Sequence, residues 1–339
     1  MSGALSAFNG AAIFDGENII EGHALIVRGP VFAGIVPAAD IPAGAAVTML
    51  SGGILAPGFV DVQVNGGGGV LFNDDPSEKT LETIAAAHLR LGATSILPTL
   101  ITDTPDATRA AIRAVKQAMA SGVAGITGLH LEGPHLSLAR KGAHDPALIR
   151  PMTDEDEAVL IDAAGRLPVL MVTVAAESVA PDQMCRLAAA GVVLSLGHTD
   201  CSFAEATEAA RCGVRCVTHL FNAMSQLGSR EPGLVGAALR IGDFSAGLIA
   251  DMVHVHPESI ALAIAAKHGP GRIFLVSDAM ATAGSVIDHF MLNGRRIERN
   301  GGRLTLADGT LAGADLNLST ACRNLVRIGV PAEDVLAMA

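Results

Sequence analysis

Apolar and polar positions along the chain fall into three rhythms. Over residues 11–52, short apolar stretches such as Ala24-Leu25-Ile26-Val27 and Val31-Phe32-Ala33-Gly34-Ile35-Val36 are broken by Gly, Pro and Asp, which predicts a small antiparallel β unit without chemistry of its own. Apolar runs without alternation then recur at 54–64, 94–97, 126–131, 169–174, 192–196, 214–217, 246–250 and 273–276. Runs of this kind suit strands buried on both faces, and every interval has room for a helix. The expectation is an α/β chain: a closed parallel (β/α)8 TIM barrel over residues 53–339, after a small β domain over residues 1–52. Asp75-Pro76-Ser77-Glu78 and Thr104-Pro105-Asp106 read as helix starts capped by Asp75 and Thr104, and Gly92, Gly122 and Gly213 fall where helices end. Residues 289–306 alternate around Asn293-Gly294 and Asn300-Gly301-Gly302, predicting a β-hairpin insertion near residues 287–310. Residues 220–239 are Gly-rich and lack a helical period until late, which predicts a binding loop.

Composition narrows the picture. A chain of 339 residues, half of them apolar, is long enough for one barrel of ~250 residues and a small companion. The net charge of −11 comes without any basic run, so neither nucleic acid nor an anionic membrane is an expected partner, and an anionic small substrate needs local basic groups. The start Met1-Ser2-Gly3-Ala4 lacks signal-peptide character, and no apolar stretch is long enough to span a membrane. The five cysteines, Cys185, Cys201, Cys212, Cys216 and Cys322, are odd in number and irregularly spaced. A soluble cytoplasmic protein without a disulfide framework is expected, with Cys212 and Cys216 as small apolar filler.

In a barrel the functional groups gather at the carboxyl ends of the strands. The third run ends in His130-Leu131-Glu132-Gly133-Pro134, the fifth in Gly197-His198-Thr199-Asp200, the sixth in Thr218-His219 and the eighth in Ser277-Asp278-Ala279. Any one of these polar residues alone is most simply a hydrogen-bonded structural group; at the ends of four runs they form a pattern. Glu132, His198 and His219 converge on one mouth as a carboxylate and two imidazoles, a donor set for one Zn²⁺, with Fe, Co and Mn also suited, and one position left open for water. Asp278 projects beside that water as general base and then acid for attack on a carbonyl.

These motifs, together with Pro57-Gly58-Phe59-Val60-Asp61-Val62-Gln63-Val64-Asn65-Gly66, Leu220-Phe221-Asn222-Ala223-Met224 and Arg230-Glu231-Pro232-Gly233, resemble the N-acetylglucosamine-6-phosphate deacetylase family of the amidohydrolase superfamily, in order and over nearly the whole chain. The resemblance implies an amidohydrolase-type barrel with a small β-sandwich domain. It also implies hydrolysis of N-acetyl-D-glucosamine 6-phosphate to glucosamine 6-phosphate and acetate, one divalent metal per subunit on Glu132, His198 and His219, Asp278 as the acid–base group, and a homodimer. Contacts to the sugar phosphate are implied for Asn222, Ala223, Arg230, Asp251 and His254. Ala143 and His144 are implied near the acetamide, and Leu311, Ala312 and Gly313 over the sugar. Arg230 offers the bidentate donors that phosphate needs from an acidic protein, and either Arg230 or His254 could reach a neighbouring subunit's substrate. With no Trp or Tyr, contact with the sugar ring falls to Phe, His or peptide planes. Another N-acetylated sugar phosphate such as a galactosamine phosphate, a cyclic amide, or binding without turnover are the alternative readings; Asp278 speaks against the last.

Two departures stand out. Many amidohydrolases carry His-x-His after the first strand and hold two metals, whereas this chain has Gln63 and Asn65, and amides are poor zinc ligands, so a single metal is expected with Gln63 lining the site or hydrogen-bonding in it. Family members also continue past residue 339, so open strand edges are expected in the small β domain. His135 and His256 match no role.

Overall fold

The structure is a computed structural model and describes residues 3–339. It divides into two compact units: the chain up to Gly58 with Val330–Ala337, and Phe59–Gly329 with Met338–Ala339.

The smaller unit holds β1 (Leu5–Asn9), β2 (Ala12–Phe14), β3 (Ile19–Ile20), β4 (His23–Arg28), β5 (Val31–Pro37), β6 (Ala46–Met49) and β7 (Ile54–Leu55). They form a four-stranded sheet in the order β5-β4-β1-β6 and a three-stranded sheet in the order β3-β2-β7. Neither is purely antiparallel as expected, because β6 runs parallel to β1 and β7 parallel to β2. Apolar spacing reports which face is buried and carries no information on strand direction. The apolar run at 54–64 is also not one strand. Ala56-Pro57-Gly58 interrupts it, Pro57 having no N–H for a ladder, so its first part joins the small unit and the boundary lies at Gly58 rather than at residue 52.

In the larger unit, β8 (Phe59–Val64) is followed by a short antiparallel pair, β9 (Gly66–Gly67) and β10 (Val70–Leu71). Then come β11 (Ala93–Ile101), β12 (Leu129–Glu132), β13 (Leu170–Val174), β14 (Val193–Leu196), β15 (Cys216–Val217), β16 (Ser245–Leu248) and β17 (Ile273–Leu275). β8 and β11 to β17 form one eight-stranded parallel sheet in sequence order, as the buried runs predict. Closure between β17 and β8 comes from a parallel bridge between Val64 and Ala279, and from the last residues of the chain: Leu275 N–H donates to the Met338 carbonyl at 2.7 Å and Val60 N–H to that of Ala339 at 2.9 Å.

Helices α1 (Glu78–Arg90), α2 (Pro105–Ala120), α3 (Asp154–Ala164), α4 (Pro181–Ala189), α5 (Phe203–Arg211), α6 (Gly233–Arg240), α7 (Pro257–Ala266) and α8 (Leu318–Arg327) fill the intervals between strands and follow the last one. Thr104 caps α2 with Pro105 in the first turn, as read. The cap of α1 is Ser77, whose hydroxyl accepts the Thr80 N–H, while Asp75 takes up the Ser77 and Thr80 hydroxyls at 2.7 and 3.0 Å. One expectation fails outright: Cys185 on α4 and Cys212 at the end of α5 form a disulfide. These helices lie side by side and bring the two Cα atoms to 4.3 Å, a proximity that spacing in the sequence does not reveal. Cys201, Cys216 and Cys322 are free.

Within the barrel, side chains alternate across each strand. On β14, Leu194 and Leu196 are fully buried on one face, and Ser195 on the other joins a polar chain below the mouth. His130 Nδ1 lies 2.9 Å from the Val62 carbonyl, which can only accept, so Nδ1 carries the proton and Nε2 accepts from the Thr173 hydroxyl at 2.8 Å. Thr173 then accepts from Thr218 and Thr218 from Ser195, each at 2.7 Å. Burial holds the His130 pKa down, consistent with a neutral ring.

The insertion is a three-stranded meander of β18 (His289–Leu292), β19 (Arg295–Asn300) and β20 (Arg303–Thr305), one strand more than a hairpin. Its Phe290, Leu292, Ile297 and Leu304 pack on Ile101 and Met280 at the barrel mouth. Among the described residues, no helix is long and apolar enough to cross a membrane.

Leu196 leads directly to the loop carrying His198, so Leu196→Ala should leave a cavity in the helix-facing core and cost about 2–5 kcal/mol in urea denaturation, with the slope of the transition unchanged.

Candidate active site

Glu132 is the last residue of β12; His198 and His219 stand two residues past β14 and β15, and Asp278 three past β17. His198, His219 and Asp278 all have positive φ, at 48, 32 and 49°, a costly conformation for side chains of this kind that persists only where the surroundings enforce it. Around His198, Ser137 N–H donates to its carbonyl at 2.9 Å and its Nδ1 donates to the Arg140 carbonyl at 2.8 Å. Around Asp278, Ala314 N–H donates to its carbonyl at 2.8 Å.

These turns bring three donor atoms together. His198 Nε2 and His219 Nε2 lie 3.2 and 3.1 Å from Glu132 Oε1, and 3.0 Å from each other. With His198 Nδ1 donating to the Arg140 carbonyl, Nε2 of an uncharged ring turns a lone pair towards a carboxylate oxygen that also presents one. Two acceptors at this distance repel unless a proton or a metal ion lies between them. Four ligands about 2.0–2.1 Å from a tetrahedral zinc would themselves be spaced by ~3.3 Å, so these residues fit one such ion. They form the one cluster among the described residues whose His, Cys, Asp or Glu atoms could hold a metal. Burial acts to raise the Glu132 pKa, but hydrogen bonds and charge from His198 and His219 outweigh it and hold this carboxyl well below the usual range.

Asp278 differs. Burial, reinforced by the neighbouring Glu132 charge, pushes its pKa up to about 7, within the range of a group that exchanges protons at neutral pH. Its Oδ1 accepts from Asn65 Nδ2 at 2.8 Å and from Gln63 Nε2 at 3.2 Å.

The trio and Asp278 open into a cleft of ≈ 690 Å³ including its mouth. Of the anticipated contact residues, Ala143, His144, Asn222, Ala223 and His254 line it, as do Leu311, Ala312 and Gly313. His144 packs edge-on against the His198 ring, with centroids 4.3 Å apart. Its Nδ1 meets the Thr102 hydroxyl at 2.8 Å and accepts the Thr102 N–H at 3.4 Å, and burial pushes its pKa down to about 3, so a neutral ring presents Nε2–H. Asp251 stands behind His254, its Oδ2 accepting from His254 Nδ1 at 2.6 Å. Gln63 likewise sits behind, bridging Glu132 Oε1 and Asp278 Oδ1 at 3.2 Å each.

Arg230 is the exception: it is exposed and does not line the cleft. The next residue, Glu231, accepts the N–H groups of Phe203 at the start of α5 and of Gly233, which anchors the loop at that point with Arg230 directed to solvent.

The sequence pattern gives Asn65 no partner and does not single out Arg295 or the apolar wall of Ile101, Ile249, Met280 and Leu292. Asn65 is signalled as the amide at the second position of the usual His-x-His pair. Arg295, on the insertion, donates to the Ala143 carbonyl and so ties β19 to the loop that carries His144. Gly313, with φ +65°, lies against this wall, and a Cβ there would come within 2.5 Å of Met280 Cγ.

With this geometry in hand, similarity to known proteins is decisive. A profile described as "Amidohydrolase family" matches residues 54–339. The chain belongs to that family. It is 40% identical over 317 residues to the N-acetylgalactosamine-6-phosphate deacetylase of Shewanella sp. (strain ANA-3), covering 93% of this chain and 80% of the relative. It is 32% identical over 330 residues to the N-acetylglucosamine-6-phosphate deacetylase of Haemophilus influenzae, covering 96% and 85%. The crystal structure of N-acetylglucosamine-6-phosphate deacetylase from Pasteurella multocida superposes with a TM-score of 0.94 at 34% identity, over 99% of this chain and 88% of that one. For an amidohydrolase with such neighbours the eight-stranded parallel barrel is the family's own fold.

A buried acid with a raised folded-state pKa favours folding while protonated: its contribution is intact below 3.8 and is lost as pH rises through about 7. Metal-depleted protein should therefore lose stability over that window. Asp278→Asn should flatten the profile by on the order of a few kcal/mol, read by denaturation at a series of pH values.

Proposed function

We propose that this amidohydrolase hydrolyses the acetamide of N-acetyl-D-glucosamine 6-phosphate to acetate and D-glucosamine 6-phosphate, with one divalent ion, zinc, held by Glu132, His198 and His219. The observation that carries this reading is a carboxylate–imidazole–imidazole donor set with the Asp278 carboxyl lining the same cleft. When bound, such an ion polarises a carbonyl and brings the pKa of water down to ~7. Asp278 takes the proton from the attacking water and returns it to the leaving nitrogen, so that one group serves as base and then acid. His144 offers Nε2–H to the acetamide oxygen, and Leu311, Ala312 and Gly313 cover the sugar.

The phosphate falls to Asn222, Ala223 and His254, with the Asp251 carboxylate orienting the His254 ring. Asn222 directs its side-chain N–H groups to the carbonyls of His219 and Leu220, which favours its backbone as the donor. Among the described residues no Lys or Arg lines the cleft, so Arg230, exposed on its loop, is assigned to the phosphate of a neighbouring subunit in a homodimer. A phosphorylated sugar is too polar to cross a bilayer unaided, which assigns the chemistry to the cytoplasm.

A second reading has its own support: the relative at 40% identity acts on the galactosamine epimer. Acetate release from both 6-phosphates decides between them. A higher kcat/KM for N-acetylglucosamine 6-phosphate supports the first reading and the reverse order the second; no release from either overturns both. Chelation should abolish turnover, and add-back of single divalent ions, with elemental analysis, identifies the metal. Asp278→Asn should lower kcat by ~10²–10⁴ with substrate affinity retained in calorimetry. Arg230→Ala should raise KM for the phosphorylated sugar and spare the unphosphorylated one.

A further inference from the structure

Asp61, Gln63 and Asn65 alternate on β8 and its immediate extension and therefore share one face, buried inside the barrel. Gln63 and Asn65 both turn their amide nitrogens to the same atom, Asp278 Oδ1, from 3.2 and 2.8 Å. An amide N–H can only donate and an ionised carboxylate can only accept, so while Asp278 is ionised the contact fixes which way each amide faces. For Asn65 the consequence is costly: its own Oδ1 is turned into a buried position with no hydrogen-bond partner. The opposite flip would set two acceptor oxygens 2.8 Å apart. Asn65 is thus held for its N–H at the expense of its carbonyl, and Gln63 adds a second donor while also reaching Glu132 Oε1 at 3.2 Å. From the other side, the Asp278 backbone is held by Ala314 N–H. Among the described residues, no donor meets Asp278 Oδ2.

We infer that Gln63 and Asn65 are positioning residues for Asp278: their paired amides pin Oδ1 and leave Oδ2 as the oxygen that takes up and returns the proton. The inference rests on the proposed acid–base role of Asp278. It gives two uncharged amides, at positions that otherwise carry metal-binding imidazoles, a task in the chemistry: they hold one carboxylate in place beside another without introducing a second cation.

Gln63→Met and Asn65→Leu keep size and remove the donors. In the metal-loaded enzyme each should lower kcat on the order of 10- to 100-fold, with KM and metal content, read by elemental analysis, at the wild-type level. In an Asp278→Asn background the same changes should alter the residual kcat by less than about threefold, because the group they act through is gone. Full additivity there, an unchanged kcat, or loss of metal in step with loss of activity would overturn the inference. Crystallography of the double variant Gln63→Met/Asn65→Leu judges it without any turnover: the Asp278 carboxylate plane should rotate, and a carboxylate left in place refutes the positioning role. Should the wild-type protein release no acetate from any amino-sugar phosphate, the functional reading fails by itself, and the crystallographic result still decides this one.

Discussion

Everything at the mouth of the barrel follows from three electron-pair donors brought within about 3 Å of one another. Glu132 Oε1, His198 Nε2 and His219 Nε2 crowd one point, and because the Arg140 carbonyl takes the one proton of an uncharged His198 ring, at least two of the three face each other as acceptors. A site built this way is at rest only with positive charge in its middle. The left-handed turns at His198, His219 and Asp278 are the backbone cost of aiming strand ends at a common point.

Beneath that point the barrel is polar where a core is usually apolar. The hydroxyl chain from Ser195 through Thr218 and Thr173 to His130 runs one way, each group donating to the next and the last proton going to a backbone carbonyl. Thr218 immediately precedes His219 and His130 lies two residues before Glu132, so the chain fixes the strands at the places where the metal-facing residues leave them. A fully satisfied buried network of this kind specifies one arrangement where interchangeable apolar side chains would allow several.

Much of this was legible in the residues, for identifiable reasons. Strands covered on both faces read as unbroken apolar runs, and polar residues immediately after such runs mark the carboxyl ends, which is why Glu132, His198, His219 and Asp278 stand out. What did not show depends on neighbours in space. Cys185 and Cys212 meet because α4 and α5 lie side by side, β6 enters parallel to β1 by its path through space, and the Arg230 loop is set by what Glu231 accepts. Asn65 was legible only as a replaced imidazole: an amide has no chemistry of its own, and its meaning lies wholly in the carboxylate it faces.

The wall opposite the reacting groups is assembled from distant parts of the chain. Leu292 and Arg295 of the meander, the 311–313 segment and Ala143 are joined by one apolar cluster and by the Arg295 bond to the Ala143 carbonyl. That wall is a modular panel. Exchanging the meander between related barrels would reshape the room available to the ligand while leaving Glu132, His198, His219 and Asp278 at their strand ends, a route by which one chemistry is reissued for a differently shaped sugar.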